Sequence, residues 1–138
     1  MSQPTRTAWR TAERLARDHG EPFLDTDHLL LAVIQRRGSV AARALAVAGL
    51  PPKDIRGRLG QPGLMARAPK VRPPTPEVKA VLGLACREAE AMGDEEILPE
   101  HILLALCRHT RGCARTILVE QGGLTVERVR RAVLAARA

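Results

Sequence analysis

The sequence predicts an all-α protein, with eight helices written as two tandem four-helix repeats. Three observations lead there. Aromatic residues are 1% of the chain, Trp9 and Phe23 alone, so the 45% that is apolar is mostly Leu, Val, Ile and Ala. Such a core suits helices better than a β-sandwich. Next, "DTDHLLLAV" (25–33) returns seventy-three residues later as "LPEHILLAL" (98–106). Last, the echo holds register well beyond that phrase. Ala12, Arg14, Ala16 and Gly20 match Ala85, Arg87, Ala89 and Gly93, and Ala41 and Leu45 match Ala114 and Leu118. One inserted residue then shifts the register, so Gly49-Leu50 meets Gly123-Leu124 and Ile55-Arg56 meets Val129-Arg130. A period that survives four elements is a duplication.

In chain order, the first copy carries helices over about 3–19, 26–37, 39–48 and 51–59. "GQPGLMARAPKVRPP" (60–74) follows, rich in Pro and Gly, and reads as a linker. The second copy is better marked. Val78, Val81, Leu82, Ala85 and Ala89 recur at three- and four-residue steps, and Gly93 can end that helix as a left-handed cap. Pro99 suits a first turn, ahead of Ile102, Leu103, Ala105 and Leu106. Arg111-Gly112 breaks the run, and a short helix through Ala114, Ile117 and Leu118 stops at "QGG". Thr125 starts the last helix, with Val126, Val129, Val133 and Leu134 inward. The expected organisation is a single domain, 1–138: repeat one 2–59, linker 60–74, repeat two 75–138.

Composition removes several function classes. No GxxxxGK[ST] loop is present for nucleotide phosphates, and Ser2 and Ser39, the only serines, sit in no nucleophile elbow. Cys107 and His109, two apart on a helix, point about 200° away from each other. His101, Cys107, His109 and Cys113 lack paired zinc-ligand spacing, so neither metal nor cofactor is expected. Cys113 follows Gly112 at a helix start, where a dipole lowers a thiol pKa, but burial opposes it. Asp94, Glu95 and Glu96 read as a solvated turn. With no apolar leader, no run long enough to span a bilayer and an odd set of three cysteines, the chain is expected to be cytoplasmic with reduced thiols. The net charge of +7 comes from 22 Lys+Arg, of which all but Lys53, Lys70 and Lys79 are arginine, a bias common in GC-rich bacterial genomes. That charge allows nucleic-acid partners through Arg67, Lys70, Arg72 and the Arg128, Arg130 and Arg131 face, although no aromatics interleave.

Asp27 and Glu100 fall in first helical turns, where a carboxylate meets the positive end of the dipole. His28 and His101 beside them are expected only to pack against the neighbouring helix. The repeated phrase also resembles a known family. "TPEVKAVLGLACREAEAMG", "PEHILLAL" and "GGLTVERVRRAVL" in the second copy, and "TDHLLLAVI", "SVAARAL" and "AGL" in the first, resemble the Clp N-terminal repeat domain. That domain is the substrate- and adaptor-docking head of the unfoldases ClpA, ClpB and ClpC, and the likeness covers essentially the whole chain.

The resemblance implies a pseudo-twofold, eight-helix module without catalytic activity. It would bind substrates, degrons or adaptors of the Clp protease system as a monomer and modulate Clp-dependent proteolysis. A chain that opens on Met and ends soon after its last helix suggests a free-standing module, most like the ClpC head. Heads of that type read phosphorylated arginine: the Glu of a "TEH" motif takes the guanidinium and a Thr twenty-five residues upstream holds the phosphate. Carried over, those residues are Glu100 with Thr75, and Asp27 with Ser2. Helix N-terminal amides near Val40-Ala41 and Cys113-Ala114 would receive the anion. Pro74 and Met1 replace the family's aromatic, Arg37-Gly38-Ser39 and Thr110-Arg111-Gly112 replace its Gly-rich turn, and Pro99 replaces its Thr N-cap. Asp27 reaches less far than Glu100 and Ser2 sits at a terminus expected to fray, so the second copy is expected to dominate any such binding.

Overall fold

Hydroxyl caps open both repeats. In the computed structural model, which describes residues 2–59, 73–109 and 112–137, Ser2 Oγ accepts the Thr5 amide at 3.2 Å and Thr75 Oγ1 the Val78 amide at 3.3 Å. These caps start α1 (Gln3–Asp18) and α5 (Pro76–Ala91), each with a proline in its first turn. Both helices end alike. Gly20 and Gly93 take φ of 70° and 75°, and the next amides, Glu21 and Asp94, reach back to Ala16 and Ala89 carbonyls at 2.9 Å. A side chain would strain that left-handed turn, so glycine closes both.

The chain then reverses into α2 (Thr26–Ile34) and α6 (Pro99–Arg108), which are buried nearly all round. A helix apolar on every face belongs at the centre, and these two pack against each other there. Leu29, Leu30, Ile34, Ile102, Leu103, Leu104 and Leu106 are fully buried, whereas Phe23 is exposed and Trp9 only half-buried. The core is aliphatic, as the composition implies. Helix α2 stops at Ile34, short of the expected 37, because a turn closed by the Ser39 amide on the Arg36 carbonyl intervenes.

Ser39 caps α3 (Val40–Ala48), and α4 (Pro52–Leu59) completes the first repeat. The second repeat differs at this point. Helix α7 (Cys113–Arg115) runs straight into a π-helical turn over Thr116–Gln121 before α8 (Val126–Arg137). Wider winding takes up one residue, and the sequence register slips by one between Leu118 and Gly123. The π turn therefore absorbs the residue that separates the two copies.

The repeats clasp each other by exchanged starts. The Thr75 amide donates to the Leu24 carbonyl at 2.9 Å, and Leu24 donates to the Pro73 carbonyl at 2.9 Å. On the other side the Ser2 amide donates to the Ile97 carbonyl at 3.3 Å. Helix α3 of the first repeat also packs along α8 of the second. Most of the expected linker, 60–72, lies outside the described residues; its last two, Pro73 and Pro74, are fastened to Leu24.

Candidate functional site

The mouths of α2 and α6 hold the candidate residues. Each uses its histidine as a cap: His28 Nδ1 accepts the Asp25 amide at 3.0 Å and His101 Nδ1 accepts the Leu98 amide at 2.8 Å. The N-caps are thus Asp25 and Leu98, and Pro99 stands one position inside, rather than in the N-cap place. These histidines do more than pack. Using Nδ1 as acceptor leaves the ring proton on Nε2.

The sequence pairing of candidates does not survive the fold. A 16-residue helix is roughly 24 Å long, so Thr75 at the start of α5 lies far from Glu100, which follows its end. Thr75 Oγ1 donates instead to Asp25 Oδ1 at 3.2 Å, in the other repeat. Ser2, far from Asp27 by the same logic, lies at the turn before Glu100, where its hydroxyl donates to the Ile97 carbonyl at 2.9 Å. The partners are crossed between repeats: Thr75 meets Asp25, two residues before Asp27, and Ser2 meets Ile97, three before Glu100. Nor does Ser2 fray; it is buried, with amide and hydroxyl both engaged. The Ala114 amide belongs to the Asp27 side and donates to Thr26 Oγ1 at 3.3 Å, so it is already committed. Cys113 begins that three-residue helix.

The Glu100 side opens into a cleft of about 560 Å³, within the usual size range of ligand pockets. Ala8, Ala32, Val33 and Ala41 give it an apolar floor, and Thr7, Thr11 and Ser39 a hydroxyl rim. Glu100 and Pro99 line it from α6, and Val40 and Arg36 from α3 and the turn before it. Val40 and Ala41 occupy a first turn, whose amides have no acceptor within the helix. Helices from both repeats contribute to this cleft, α1 to α3 facing α6.

The two mouths differ in charge. Glu100 is buried, and Arg137 from the last turn of α8 donates Nε to its Oε2 at 3.0 Å. The same guanidinium reaches Asp94 Oδ2 at 2.7 Å, where His101 Nε2 also donates at 2.7 Å. The Arg137 bond, seconded by His101, holds the Asp94 carboxyl below the usual carboxylate range. Asp94 is therefore bonded into the mouth of α6 and is not simply a solvated turn acid. In the first repeat, Asp27 is part-exposed with only His28 Nδ1 near it, at 3.6 Å, among the described residues. Burial lowers the His28 pKa despite Asp27, and its Nε2 finds no partner among the described residues. The ring of His19 stands edge-on to it, centroids 5.5 Å apart.

Sequence reading missed Asp94 and Arg137. One signal was available for the acid: Glu21 and Asp94 each stand seven residues before the repeated histidine. Nothing in the repeat points to Arg137, because its counterpart would fall in 60–72. Elsewhere, Cys107 is a core side chain whose thiol burial pushes up to about 12. Arg130, assigned to a basic face, instead joins Arg108 on the buried Glu88 carboxylate, each at 2.9 Å. That leaves less free charge on α8 for nucleic acid; Arg67, Lys70 and Arg72 lie outside the described residues. Among the described residues no helix is long and apolar enough to cross a membrane.

Comparison with known proteins agrees with this fold. The chain is 30% identical over 119 residues to the Bacillus subtilis (strain 168) protein named negative regulator of genetic competence ClpC/MecB, covering 83% of this chain and 14% of that protein. It is 34% identical over 116 residues to chaperone protein ClpC1, chloroplastic, of Oryza sativa subsp. japonica, covering 80% and 12%. The chain thus spans only a small part of these relatives. Its fold matches the N-terminal domain of Hsp104 from Candida albicans, with a TM-score of 0.75, 18% identity and coverage of 100% and 91%. It also matches a ClpV N-domain in complex with a VipB peptide, with a TM-score of 0.77, 17% identity and coverage of 99% and 88%. The family model described as the Clp repeat (R) N-terminal domain matches residues 1–121, and the chain belongs to that family.

Proposed function

We propose that this domain is a docking module of a Clp system, without catalysis of its own, that receives segments of substrate, degron or adaptor proteins in the cleft between α1, α3 and α6. The observation that carries this reading is the cleft itself: apolar floor, hydroxyl rim, and a helix N-terminus beside it, built from both repeats. An apolar floor takes up side chains of many shapes, while the hydroxyls satisfy a peptide backbone. The similar ClpV N-domain, solved with a peptide, supports it by analogy of fold.

A finer form of the reading is recognition of phosphorylated arginine. On this reading one site is Asp27 with Thr75 and the start of α7 at Cys113-Ala114, where the Ala114 amide would have to exchange Thr26 for the phosphate. The other is Glu100 with Ser2 and the Val40-Ala41 amides. Of the two acids, Asp27 is the one without a guanidinium among the described residues, which supports the first copy rather than the second as the stronger site on this reading.

One experiment addresses both levels. A fluorescent extended peptide, and the same peptide carrying phosphoarginine, are titrated into the wild type, Thr7→Trp and Asp27→Ala. Thr7 is exposed on the rim, so tryptophan there fills the cleft without disturbing the core. Thr7→Trp should weaken the plain peptide about tenfold or more, the effect of losing one well-packed contact region. Asp27→Ala should weaken only the phosphoarginine increment. Plain binding that ignores Thr7→Trp removes the cleft from the reading, and equal affinity for both peptides removes phosphoarginine.

A further inference from the structure

We propose that Arg137 is an internal occupant of the cleft's acidic end, a specificity device that turns guanidinium groups away from Glu100. The role rests on the docking reading of the cleft; the occupancy rests on geometry alone. Two carboxylates from different segments converge on one side chain: Asp94 in the turn before α6 takes Nη2 at 2.7 Å, and Glu100 in its first turn takes Nε at 3.0 Å. Planar guanidinium donors suit such a divided receptor better than a point charge does. His101 Nε2 completes it from beneath, on the shared Asp94 oxygen.

Glu100 both lines the cleft and sits 6% exposed. Left unpaired, a carboxylate that far from water would draw any cation entering the cleft, with little screening. Arg137 cancels that pull from the back. The chain carries its own control, because the first repeat has Glu21, Asp27 and His28 in the matching positions. There no described arginine arrives, and His28 Nε2 is buried without a partner among the described residues. Among the described residues, then, the second-repeat receptor is filled from within and the first has no such occupant. Arg137 is itself 25% exposed, so it can leave without unfolding the helix end, and an arginine-bearing ligand gains Glu100 only by displacing it.

The test uses N-acetylarginine amide as probe, titrated by NMR into the full chain as wild type, Arg137→Gln and Arg137→Gln/Glu100→Gln. Melting curves confirm that each is folded. Arg137→Gln should bind the probe about tenfold or more tightly than wild type, the effect of one charge-assisted hydrogen bond regained. Glu100→Gln added to it should abolish the gain. Arg137→Lys keeps the charge but not the two-pronged reach, and should show a smaller gain in the same direction. If neither Arg137 variant gains affinity, or if the gain survives Glu100→Gln, the proposal is overturned. Because the probe is a single residue, that result leaves peptide docking standing; conversely, peptides that ignore Thr7→Trp leave the latch standing.

Discussion

His28 is where burial and charge compete most directly. Its ring is 1% exposed, caps α2 through Nδ1 and has Asp27 beside it, yet desolvation wins and its pKa falls below the ordinary 6.5. A histidine whose folded pKa is depressed holds fewer protons than the unfolded chain as pH drops below 6.5. Stability is therefore full above that value and declines as pH falls through it towards the folded pKa. Gln at the third helical position can also accept the cap amide, and it does not titrate. We expect the wild type to lose melting temperature steadily below pH 6.5, and His28→Gln to flatten that loss. An unchanged slope in thermal melts across this window would remove His28 as its source. Asp94 acts in a separate, more acid window: its depressed pKa gives stability that is lost only as pH falls below 3.8.

Among the elements, α3 and its counterpart show how much the sequence could say. Both copies of the helix, their Gly-Leu ends and the extra residue between them were legible from the register alone. How the extra residue is accommodated was not, because pattern does not distinguish a loop from a wider turn; the π winding of Thr116–Gln121 is the answer. Deleting exposed Glu120 should let this segment wind as a regular helix and leave a cooperatively folded protein. Removing Val47 from regular α3 is the contrast, since it turns all that follows by about 100° and takes buried Leu50 out of place. Circular dichroism melts of the two deletions check this, and equal damage from both would count against the π turn as the absorber. Element length also explains the mistaken pairing of site residues. Thr75 and Glu100 keep the family's spacing, but α5 holds them at opposite ends, and only the cross-repeat bond from Thr75 to Asp25 reveals the true neighbour.

For the whole molecule, one core spans both repeats, running from Ala8 and Leu45 to Leu118 and Val133. Each half also lacks its own closure. The Ile97 carbonyl takes hydrogen bonds from the Ser2 amide and hydroxyl and from Thr5 Oγ1, and α8 lies against α3. A fragment of residues 75–138 leaves those groups bare and buries too little apolar surface to offset chain entropy. It should show no cooperative thermal transition, while the full chain melts in one; a sharp transition in the fragment would mean that the halves are independent. The all-helical fold and its doubling were written in hydrophobic spacing, whereas the cleft was not, since it forms where one copy meets the other.

The exchanged starts have a consequence for heredity. A substitution at Ser2 is felt at the turn before α6, and one at Thr75 at the turn before α2. Neither copy can drift alone along that seam, because each mutation there lands on its sibling. The acids Asp27 and Glu100 stand beside that seam. That is where the siblings have parted: one carboxylate has gained an arginine from its own lineage, and the other has none among the described residues.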